Sequence, residues 1–571
     1  MTKRYGSDVM VDAIKACGFR YVTLNPGSSY RGLHDSLVNH GGNVDPEIIT
    51  CNHEKLAVGI AHGYAKATGE TAACILHDIV GLLQGTMGIY YAWIDRAPVV
   101  VFGGAGPMAY DRRRPNIDWI HTANIQGNVV RDYTKWDDQP ASVASVPESV
   151  MRGYRIASAA PQGPVYIALD AGLQEDEVGD VPLPDWERLK TPAPIGPDPA
   201  ALRRLAERLC AAERPLVVTS YAGRDPHAFG QLTELSELLG AGVVDTGWRL
   251  NFPNRHPHAV TSELLPECDC VLFVDVKDMG KWTQRLDRTT RQIESLIPRD
   301  AAILDVGFNE LGIGAWSHDH AQLHETDMQV TADSSVALPL LLDLCRELDR
   351  NAREPWRARL AEFHEETWRA WGEQAQREAG LSPVSTSRLA HDVWAVVKDY
   401  DWVLTAGTAS GWAPKVWDFD RPYRHPGASL GTATQIGISL GVALAHKGTG
   451  RLVVDLQPDG DLMFDLGALW IAAYHRIPML AVMFDNRAYY NDWEHQERIA
   501  QARGTDESRA YIGMEIDKPA PDFAAVARAM GWHGEGPIDN PDEVQAAVRR
   551  AAEVVLAEGR PALVDVVCQY D

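Results

Sequence analysis

The sequence has few basic residues and no cluster of them. Lysine and arginine number 54 against 78 aspartate and glutamate residues, which gives a formal net charge of −24. A surface of this sign repels phosphate backbones and anionic lipid headgroups. No apolar run approaches the roughly 20 residues that a membrane span requires, and the N-terminus lacks a signal-peptide core. We therefore expect a cytoplasmic protein that binds neither nucleic acid nor a membrane.

Cysteine is scarce and scattered. The eight cysteines lie mostly in apolar stretches, and Cys268 and Cys270 are the only close pair. A single residue between them, ahead of the apolar run VLFVDV, is typical of a strand rather than of a zinc site. Low-complexity segments and short repeats are absent, and 45% hydrophobic with 23% charged residues are ordinary globular values. We expect the cysteines to be reduced and buried.

Helix-like and strand-like segments alternate along most of the chain, a pattern typical of mostly parallel sheets with helices on both faces. A chain of 571 residues is too long for one core. We predict three open, mostly parallel-sheet α/β domains, over residues 1–175, 198–350 and 385–571. The prolines and acids of 176–197 predict a linker, and the pattern of 351–384 predicts a helical linker. The last predicted strand ends near the C-terminus, so no appended tail domain is expected.

The strongest chemical pattern is RLVVDLQPDGDLMFDLGALWIAAYHRIPMLAVMFDN. Asp459 follows one predicted strand, and Asn486 follows the next, 27 residues later (486 − 459). Parallel strands end at one sheet edge, where a carboxylate and an amide oxygen can bind a hard cation that also holds phosphate oxygens. Gly460 would let the backbone approach a diphosphate closely. An ordinary turn with an aspartate at a helix N-cap is the alternative interpretation.

A second pattern lies in EIITCNHEKLAVGIAHGYAKATG. Glu54 opens a predicted helix directly after a predicted buried strand, and Asn52 and His53 precede it. The alternative is a surface glutamate that complements the helix dipole.

Several segments, in order along the chain, carry a family resemblance. They are the Glu54 segment with GYAKATG, then YAWIDRAPVVVFGG, TKW at 134–136, RPLVVTSYAG, PGASLGTATQIGISLG and the segment from Asp459 to Asn486. Over essentially its whole length, the sequence resembles the thiamine diphosphate enzymes of the acetolactate synthase, pyruvate decarboxylase and 2-hydroxyacyl-CoA lyase superfamily.

The resemblance implies how a cofactor would be held. The first domain would bind the aminopyrimidine and the third the diphosphate. These domains would come from different subunits, so a homodimer or homotetramer with active sites at the interface is expected. Glu54 would be catalytic and hydrogen-bond the pyrimidine nitrogen, while Asp459, Asn486 and the Ala488 carbonyl would bind Mg²⁺. FAD or ADP in the central domain is compatible with the family, but the sequence does not support it.

The same resemblance implies further site residues. His121 and Glu494 are candidate catalytic residues, with a structural histidine and a solvated helix carboxylate as the alternatives. The candidate substrate-binding residues are Ser29, Tyr30, Tyr490 and Trp493. The candidate cofactor-binding residues are Gly27, Ser28, Gln84, Gly407, Thr408, Ser410, Leu430, Gly460, Asp461, Asn486 and Tyr489.

Two positions depart from the family pattern. Pro458 stands where the family usually has glycine, and Asp485 replaces the first asparagine of the usual pair. Neither change removes a predicted metal ligand, but Asp485 adds negative charge beside one.

The leading hypothesis is an enzyme that makes or breaks a carbon–carbon bond next to a carbonyl, with a small 2-oxo acid or 2-hydroxyacyl compound as substrate. Decarboxylase, carboligase and lyase reactions share this chemistry. A 2-hydroxyacyl-CoA lyase is the first alternative, and a flavin-using oxidase is another. A catalytically inert assembly or regulatory subunit is the alternative of a different class, and the retained Glu54 argues against it.

Overall fold

The computed structural model describes residues 3–314, 322–409, 411–428 and 433–570. Within these ranges, parallel sheets alternate with helices along the chain, which confirms the predicted α/β class. Many central strands are apolar throughout, as strands covered on both faces by helices must be. Examples are VVVFGGA and CVLFV, in which every residue is buried.

The first sheet is built from the N-terminal part of the chain. Its elements are β1 (Arg4–Tyr5), α1 (Gly6–Ala16), β2 (Tyr21–Leu24), α2 (Arg31–Asn39), β3 (Glu47–Thr50), α3 (Glu54–Thr68), β4 (Ala72–Leu76), α4 (Ile79–Ile94), β5 (Val99–Ala105), α5 (Asp118–His121), β6 (Asp137–Asp138), α6 (Val146–Ser158), β7 (Val165–Asp170), α7 (Ala171–Glu175) and β8 (Glu177–Val178). The sheet order is β3-β2-β4-β5-β7-β6 with parallel neighbours. Strands β1 and β8 form a separate antiparallel pair.

The central sheet has the order β10-β9-β11-β14-β15, again with parallel neighbours. A long helix, α12, follows this part of the chain. The elements are α8 (Pro199–Ala211), β9 (Pro215–Thr219), α9 (Pro226–Leu239), β10 (Gly242–Asp245), β11 (Cys270–Val274), α10 (Met279–Thr283), β12 (Gln284–Leu286), β13 (Ile293–Ser295), β14 (Ala302–Gly307), β15 (Met328–Thr331), α11 (Ser334–Leu348) and α12 (Glu354–Glu378).

The third sheet has the parallel order β16-β17-β18-β20-β19. Its elements are α13 (Thr386–Val397), β16 (Trp402–Leu404), α14 (Ala413–Val416), α15 (Gln435–Ala445), β17 (Leu452–Pro458), α16 (Asp459–Phe464), α17 (Gly467–Tyr474), β18 (Leu480–Asp485), α18 (Tyr490–Arg503), α19 (Phe523–Ala529), β19 (His533–Ile538), α20 (Val544–Glu558) and β20 (Ala562–Val567).

The first and third sheets share one hydrophobic core, and α3 and α15 lie at its centre. Glycines bring the two helices into backbone contact. A Cβ on Gly63 would lie 2.0 Å from the Ile438 carbonyl oxygen, and one on Gly441 would lie 2.1 Å from the Ile60 carbonyl oxygen. Because no side chain fits at either position, these glycines fix how closely the two parts of the chain approach.

A buried charge cluster forms at Asp95, which lies just after α4. It joins the first, central and third parts of the chain, each named for the sheet that it carries. His62 Nε2 and Lys66 Nζ from α3 lie 2.7 and 2.8 Å from Asp95 Oδ2, and Arg249 from the central part lies 2.7 Å from Oδ1. Lys66 also donates to the Ala428 carbonyl of the third part at 2.6 Å. Burial lowers the pKa of Lys66 to about 8 and that of His62 as well, so Asp95 is held mainly by Arg249 and Lys66.

All eight cysteines are free and buried, as the sequence predicts. Among the helices of the described ranges, none combines the length and apolar character needed to cross a bilayer.

Candidate active site

Glu54 begins α3, and its side chain is buried against α4. A Cβ on Gly81 would lie 2.9 Å from Glu54 Oε1 and 2.6 Å from His77 Cβ. Only glycine at position 81 therefore allows α4 to lie this close to Glu54. His77 and Glu54 both contact Gly81, so the two side chains are neighbours. The Glu54 charge and burial together hold the pKa of Tyr30 above its usual range.

His77 follows β4 directly and connects Glu54 with two predicted site residues. Its Nδ1 lies 2.7 Å from the Ser29 hydroxyl oxygen, and its ring centre lies 5.5 Å from that of His121. Sequence reasoning did not select His77. The available signal was its position, because a polar residue directly after a buried parallel strand lies at the edge where ligands bind.

The histidine cluster is poised for proton transfer. Burial, with the charges of His121 and Arg114, lowers the pKa of His77 to about 4, so its ring is neutral at neutral pH. Burial raises the pKa of neighbouring Asp78 to about 6. Ligand atoms of His77, Asp78 and His121 all lie within 4.8 Å of one another, which would also suit a cation. The Ser29 hydroxyl oxygen lies 2.7 Å from His77 Nδ1, so this nitrogen already has a hydrogen-bond partner.

The other predicted residues of this part lie at different depths. Gly27 lies against the His77 ring, since a Cβ there would be 2.7 Å from His77 Cγ. Ser28 and Gln84 are exposed. Tyr30 is fully buried in the core, where its hydroxyl donates to the Asn25 carbonyl.

The third sheet places Asp459 and Asn486 at one edge. Asp459 follows β17 and Asn486 follows β18, and these neighbouring parallel strands pair in register up to Pro458 and Phe484. Their side chains therefore emerge at the carboxyl ends of adjacent strands, where an open α/β sheet binds its ligand.

Several buried carboxylates lie close together near this sheet edge. Asp459 Oδ1 accepts from the Gly460 N–H at 2.7 Å, but the buried Oδ2 meets no hydrogen-bond donor among the described residues. Burial and the adjacent Asp485 raise the pKa of Asp459 to about 7, and burial with Asp485 does the same for Asp565. Arg487 Nε lies 3.6 Å from Asp485 Oδ2. A divalent ion bound to Asp459 and Asn486 would offset this charge, so the donor set fits Mg²⁺.

The backbone after Asn486 is arranged for a carbonyl ligand. The Tyr489 N–H donates to the Met514 carbonyl and the Arg487 carbonyl accepts from Ile516, so Ala488 points its own backbone groups the other way. The Ala488 N–H donates to Asn486 Oδ1 at 3.0 Å. The Ala488 carbonyl is thus on the Asn486 side, as a backbone metal ligand would require.

Other predicted cofactor residues shape the surrounding loops. A Cβ on Gly460 would lie 2.8 Å from Tyr489 Cε1, and one on Gly407 would lie 2.0 Å from the Leu456 carbonyl oxygen. The Asp461 carboxylate accepts from the N–H groups of Ala433 and Gln435, so it holds the start of α15 in place. The Thr408 carbonyl accepts from Ala413. Ser410 and Leu430 lie outside the described residues.

Helix α18 carries the remaining candidates. Tyr490 and Trp493 form an aromatic group with Tyr570, with ring centres 5.2 to 5.9 Å apart. Glu494 is half-buried and lies 3.1 Å from Arg498, an ordinary pair one helical turn apart.

Two contacts beside Glu54 link the Glu54–His77 group to the Asp459 segment within one chain. Lys55 Nζ lies 2.8 Å from Asp465 Oδ2, and the Asn52 amide donates to the Gly467 carbonyl at 2.9 Å. Asp465 directly follows α16, the helix that begins with the candidate metal ligand. The chain itself therefore anchors the Glu54 end of α3 to the segment that would hold the metal.

Charged side chains meet at the crevice of the central sheet. The strand order reverses between β9 and β11, and ligands of such sheets bind at that point. There, the buried Asp275 lies 2.7 Å from Arg96 of the first part and 3.3 Å from Arg224, and the Arg96 guanidinium covers the Tyr221 ring.

Two family models match the chain. The model described as thiamine pyrophosphate enzyme, N-terminal TPP binding domain, matches residues 4–128, and the corresponding C-terminal TPP binding domain matches residues 405–566. Together they cover about half of the 571 residues and include Glu54, Asp459 and Asn486. The chain belongs to the thiamine pyrophosphate (thiamine diphosphate) enzymes, and its chemistry is the making or breaking of carbon–carbon bonds with this cofactor.

Within this family, the chain is similar to both synthases and decarboxylases. A probable acetolactate synthase large subunit from Methanocaldococcus jannaschii is 22% identical over 98% of this chain and 91% of its own length. Benzoylformate decarboxylase from Pseudomonas aeruginosa is 25% identical over 90% of this chain and 91% of its own length.

A solved structure of similar fold is benzoylformate decarboxylase from Polynucleobacter necessarius, with a TM-score of 0.79 and 18% identity over 100% of this chain and 99% of that one. At this identity the likeness establishes the fold alone.

Proposed function

We propose that this protein is a Mg²⁺- and thiamine diphosphate-dependent decarboxylase or carboligase that acts on a 2-oxo acid. The observation that carries the proposal is the buried Asp459 carboxylate beside Asn486, with one oxygen that no donor in the described structure reaches. A metal–diphosphate unit is the ligand that this arrangement fits.

Each part of the chain has a separate task in this proposal. When bound, thiamine diphosphate supplies the electron sink for bond cleavage. Asp459, Asn486 and the Ala488 carbonyl would hold Mg²⁺ at the sheet edge. Glu54, buried against Gly81, would hold a proton at the pyrimidine.

His77 would move a proton at the substrate side. It is neutral, it lies beside Glu54, and Ser29 fixes its ring by a 2.7 Å contact. Removal of carbon dioxide from a 2-oxo acid leaves a carbon that must gain a proton or an acceptor. A neutral imidazole held in place can serve such a transfer.

A second copy of the chain would complete the site. Apolar side chains near both clusters are exposed in the single chain, among them Leu83 at 59%, Trp119 at 76% and Phe464 at 57%. Exposed apolar groups of this size mark interaction surfaces. We propose a homodimer as the smallest active unit, with this surface covered by the partner.

The choice of a 2-oxo acid rests on the relatives. Two similar proteins are named for benzoylformate decarboxylation and one for acetolactate synthesis, and these names describe their own reactions. A 2-oxo acid is the donor class common to such reactions, and we propose it for this chain too.

The test is turnover of a panel of 2-oxo acids, including pyruvate and benzoylformate, each with and without an aldehyde acceptor. Products are read by mass spectrometry in the presence of cofactor and Mg²⁺. We expect carbon dioxide release from at least one acid, and losses of at least about 10²-fold for Glu54→Gln and for Asp459→Asn. Glu47→Gln, at an exposed glutamate of β3, is the matched control.

Binding distinguishes the roles of the two residues. Asp459→Asn should lose Mg²⁺-dependent cofactor binding in calorimetry, whereas Glu54→Gln should still bind cofactor. Full turnover by Glu54→Gln, or unchanged metal binding by Asp459→Asn, would contradict the proposed site.

A further inference from the structure

A half-enclosed pocket lies where the central and third parts of the chain meet, away from the Glu54, His77 and Asp459 sites. Its walls come from β10 and the segment after it, from α12, and from α14 with the segment that follows it. Four aromatic rings and several aliphatic side chains line it, including Phe252, Val260, Trp368, Trp371, Pro414 and Phe419. Residues of three separate elements thus form one largely apolar chamber.

The pocket is large enough for a molecule with one or two rings. Its volume is about 280 Å³. An apolar cavity of about 150 Å³ already accommodates benzene. Pockets at domain boundaries, apolar with a few polar groups, are the usual sites for small molecules.

The polar groups of the pocket favour an uncharged ligand that carries a hydrogen-bond donor. His364 Nδ1 lies 2.8 Å from the Ala259 carbonyl, so Nδ1 carries the hydrogen and Nε2 remains an acceptor. Burial lowers the pKa of His364 and keeps it neutral.

The one carboxylate in the wall offers little to a cation. Asp245 already accepts from the N–H groups of Gly247, Asn251 and Phe252 and from the Asn251 amide, all within 3.1 Å. An anionic ligand would meet this carboxylate, and the wall's own guanidinium, on Arg249, is already committed to Asp95. Burying a charge without a partner costs more than the apolar contacts return.

We propose that this pocket binds a neutral aromatic molecule of one or two rings that donates one hydrogen bond to His364. The inference is independent of the proposed reaction, because none of the pocket residues is a candidate for metal, cofactor or proton transfer.

Occupancy would strengthen the junction between the central and third parts. The Asn254 amide already bonds the Pro414 and Trp417 carbonyls across this junction. A second link joins the Ala428 N–H to the Gly247 carbonyl. A ligand that fills the chamber adds contacts to both sides, so binding should slow the opening of this junction.

The experiment uses indole as the probe, a two-ring neutral molecule with one N–H donor, and full-length protein saturated with cofactor and Mg²⁺. Calorimetry should give saturable binding with one indole per chain. Thr367→Trp, which fills the pocket from α12, should weaken binding at least about tenfold, and His364→Phe should weaken it by about fivefold. Glu366→Trp, on the exposed side of the same helix, should bind indole as the parent does.

Benzoate is the matched ligand control, since it has a ring of similar shape but carries a charge; it should not compete with indole. Hydrogen exchange should slow on indole binding in the segments 246–261 and 412–428. Equal indole affinity in Thr367→Trp, non-saturable binding by the parent, or effective competition by benzoate would each overturn the proposal. Cofactor-free protein should give the same indole result, so failure of the proposed function leaves this test intact.

Discussion

Buried carboxylates dominate the chemistry at the level of single residues. Asp459, Asp485 and Asp565 are all buried at one sheet edge, and Arg487 is the cation in contact with Asp485. The family resemblance implies an asparagine at the position of Asp485, so the aspartate adds one negative charge to this site. A divalent cation is the simplest group that balances it.

We predict that His77→Ala lowers the turnover number about 10²-fold while cofactor affinity stays within about threefold of the parent value. The reason is that His77 contacts Ser29 and the Glu54 region but no candidate ligand of the metal. Steady-state kinetics and cofactor titration measure the two effects. His227→Ala, at an exposed histidine of α9, should change neither, and an unaltered turnover number in His77→Ala would remove His77 from the mechanism.

The location of some candidate residues could be predicted because their position at the end of a strand determines it. Asp459 and Asn486 end adjacent strands, and any pair at such points meets at the sheet edge. The same argument applies to His77, which directly follows β4. Tyr30 and Asp461 could not be placed in this way, because a loop pattern does not reveal which side chains turn inward. Both side chains make internal hydrogen bonds.

At the level of elements, the packing of α3 on α15 sets the distance between the first and third parts of the same chain. Backbone contact at Gly63 and Gly441 leaves no room for a side chain. Small residues at such crossings allow close helix approach and therefore precise placement of the helix ends. Glu54 is one of those ends.

We predict that Gly63→Ala destabilises the protein by about 3 kcal/mol, because the new methyl group would collide with the Ile438 backbone. Chemical denaturation measures the change. The matched control is Gly230→Ala in α9, where a Cβ meets no atom within 4 Å. There we expect a gain of about 0.5 kcal/mol, since alanine favours a helix more than glycine does. Equal effects at both positions would show that the α3–α15 contact is not tight.

Buried parallel strands can be predicted because they are apolar throughout, and the strands predicted ahead of Asp459 and Asn486 are present as β17 and β18. Strand β19 was not predicted. Its sequence HGEGPI contains two glycines and a proline, which strands rarely accept, and only its parallel pairing with β20 makes it a strand. Tertiary pairing of this kind leaves no local signal.

At the scale of the whole molecule, buried acids and buried histidines act in opposite directions on the pH dependence of stability. Burial raises the pKa of Asp305, Asp459 and Asp565 from 3.8 to about 7. Between pH 8 and 6.5 the folded protein takes up protons on these acids while the unfolded chain does not, so their contribution to stability grows as the pH falls. Burial also lowers the pKa of histidines such as His258 and His425 to about 4, so over the same range these histidines take up protons only in the unfolded chain. The histidines therefore oppose the acids, and the contribution of one acid is measured by comparing a variant with the parent.

We therefore predict that, when the pH falls from 8 to 6.5, the stability of metal-free Asp565→Asn changes less favourably than that of the parent by roughly 0.8 kcal/mol. Denaturation at both pH values in the presence of a chelator measures the difference. Mg²⁺ with cofactor should shift the parent in the same direction because the ion keeps Asp459 ionised. An identical pH dependence in Asp565→Asn and the parent would contradict the raised pKa of Asp565.

The cluster at Asp95 has a consequence for modularity. The Asp95 carboxylate forms ion pairs with Lys66 of α3 and with Arg249 of the central part. Lys66 also donates to the Ala428 carbonyl of the third part. Loss of Arg249 would leave Asp95 Oδ1 and the Asp95 carbonyl without their buried donor. The central part therefore cannot be exchanged during evolution as an independent cassette; a replacement would need its own counterpart to Arg249 or a simultaneous change at Asp95.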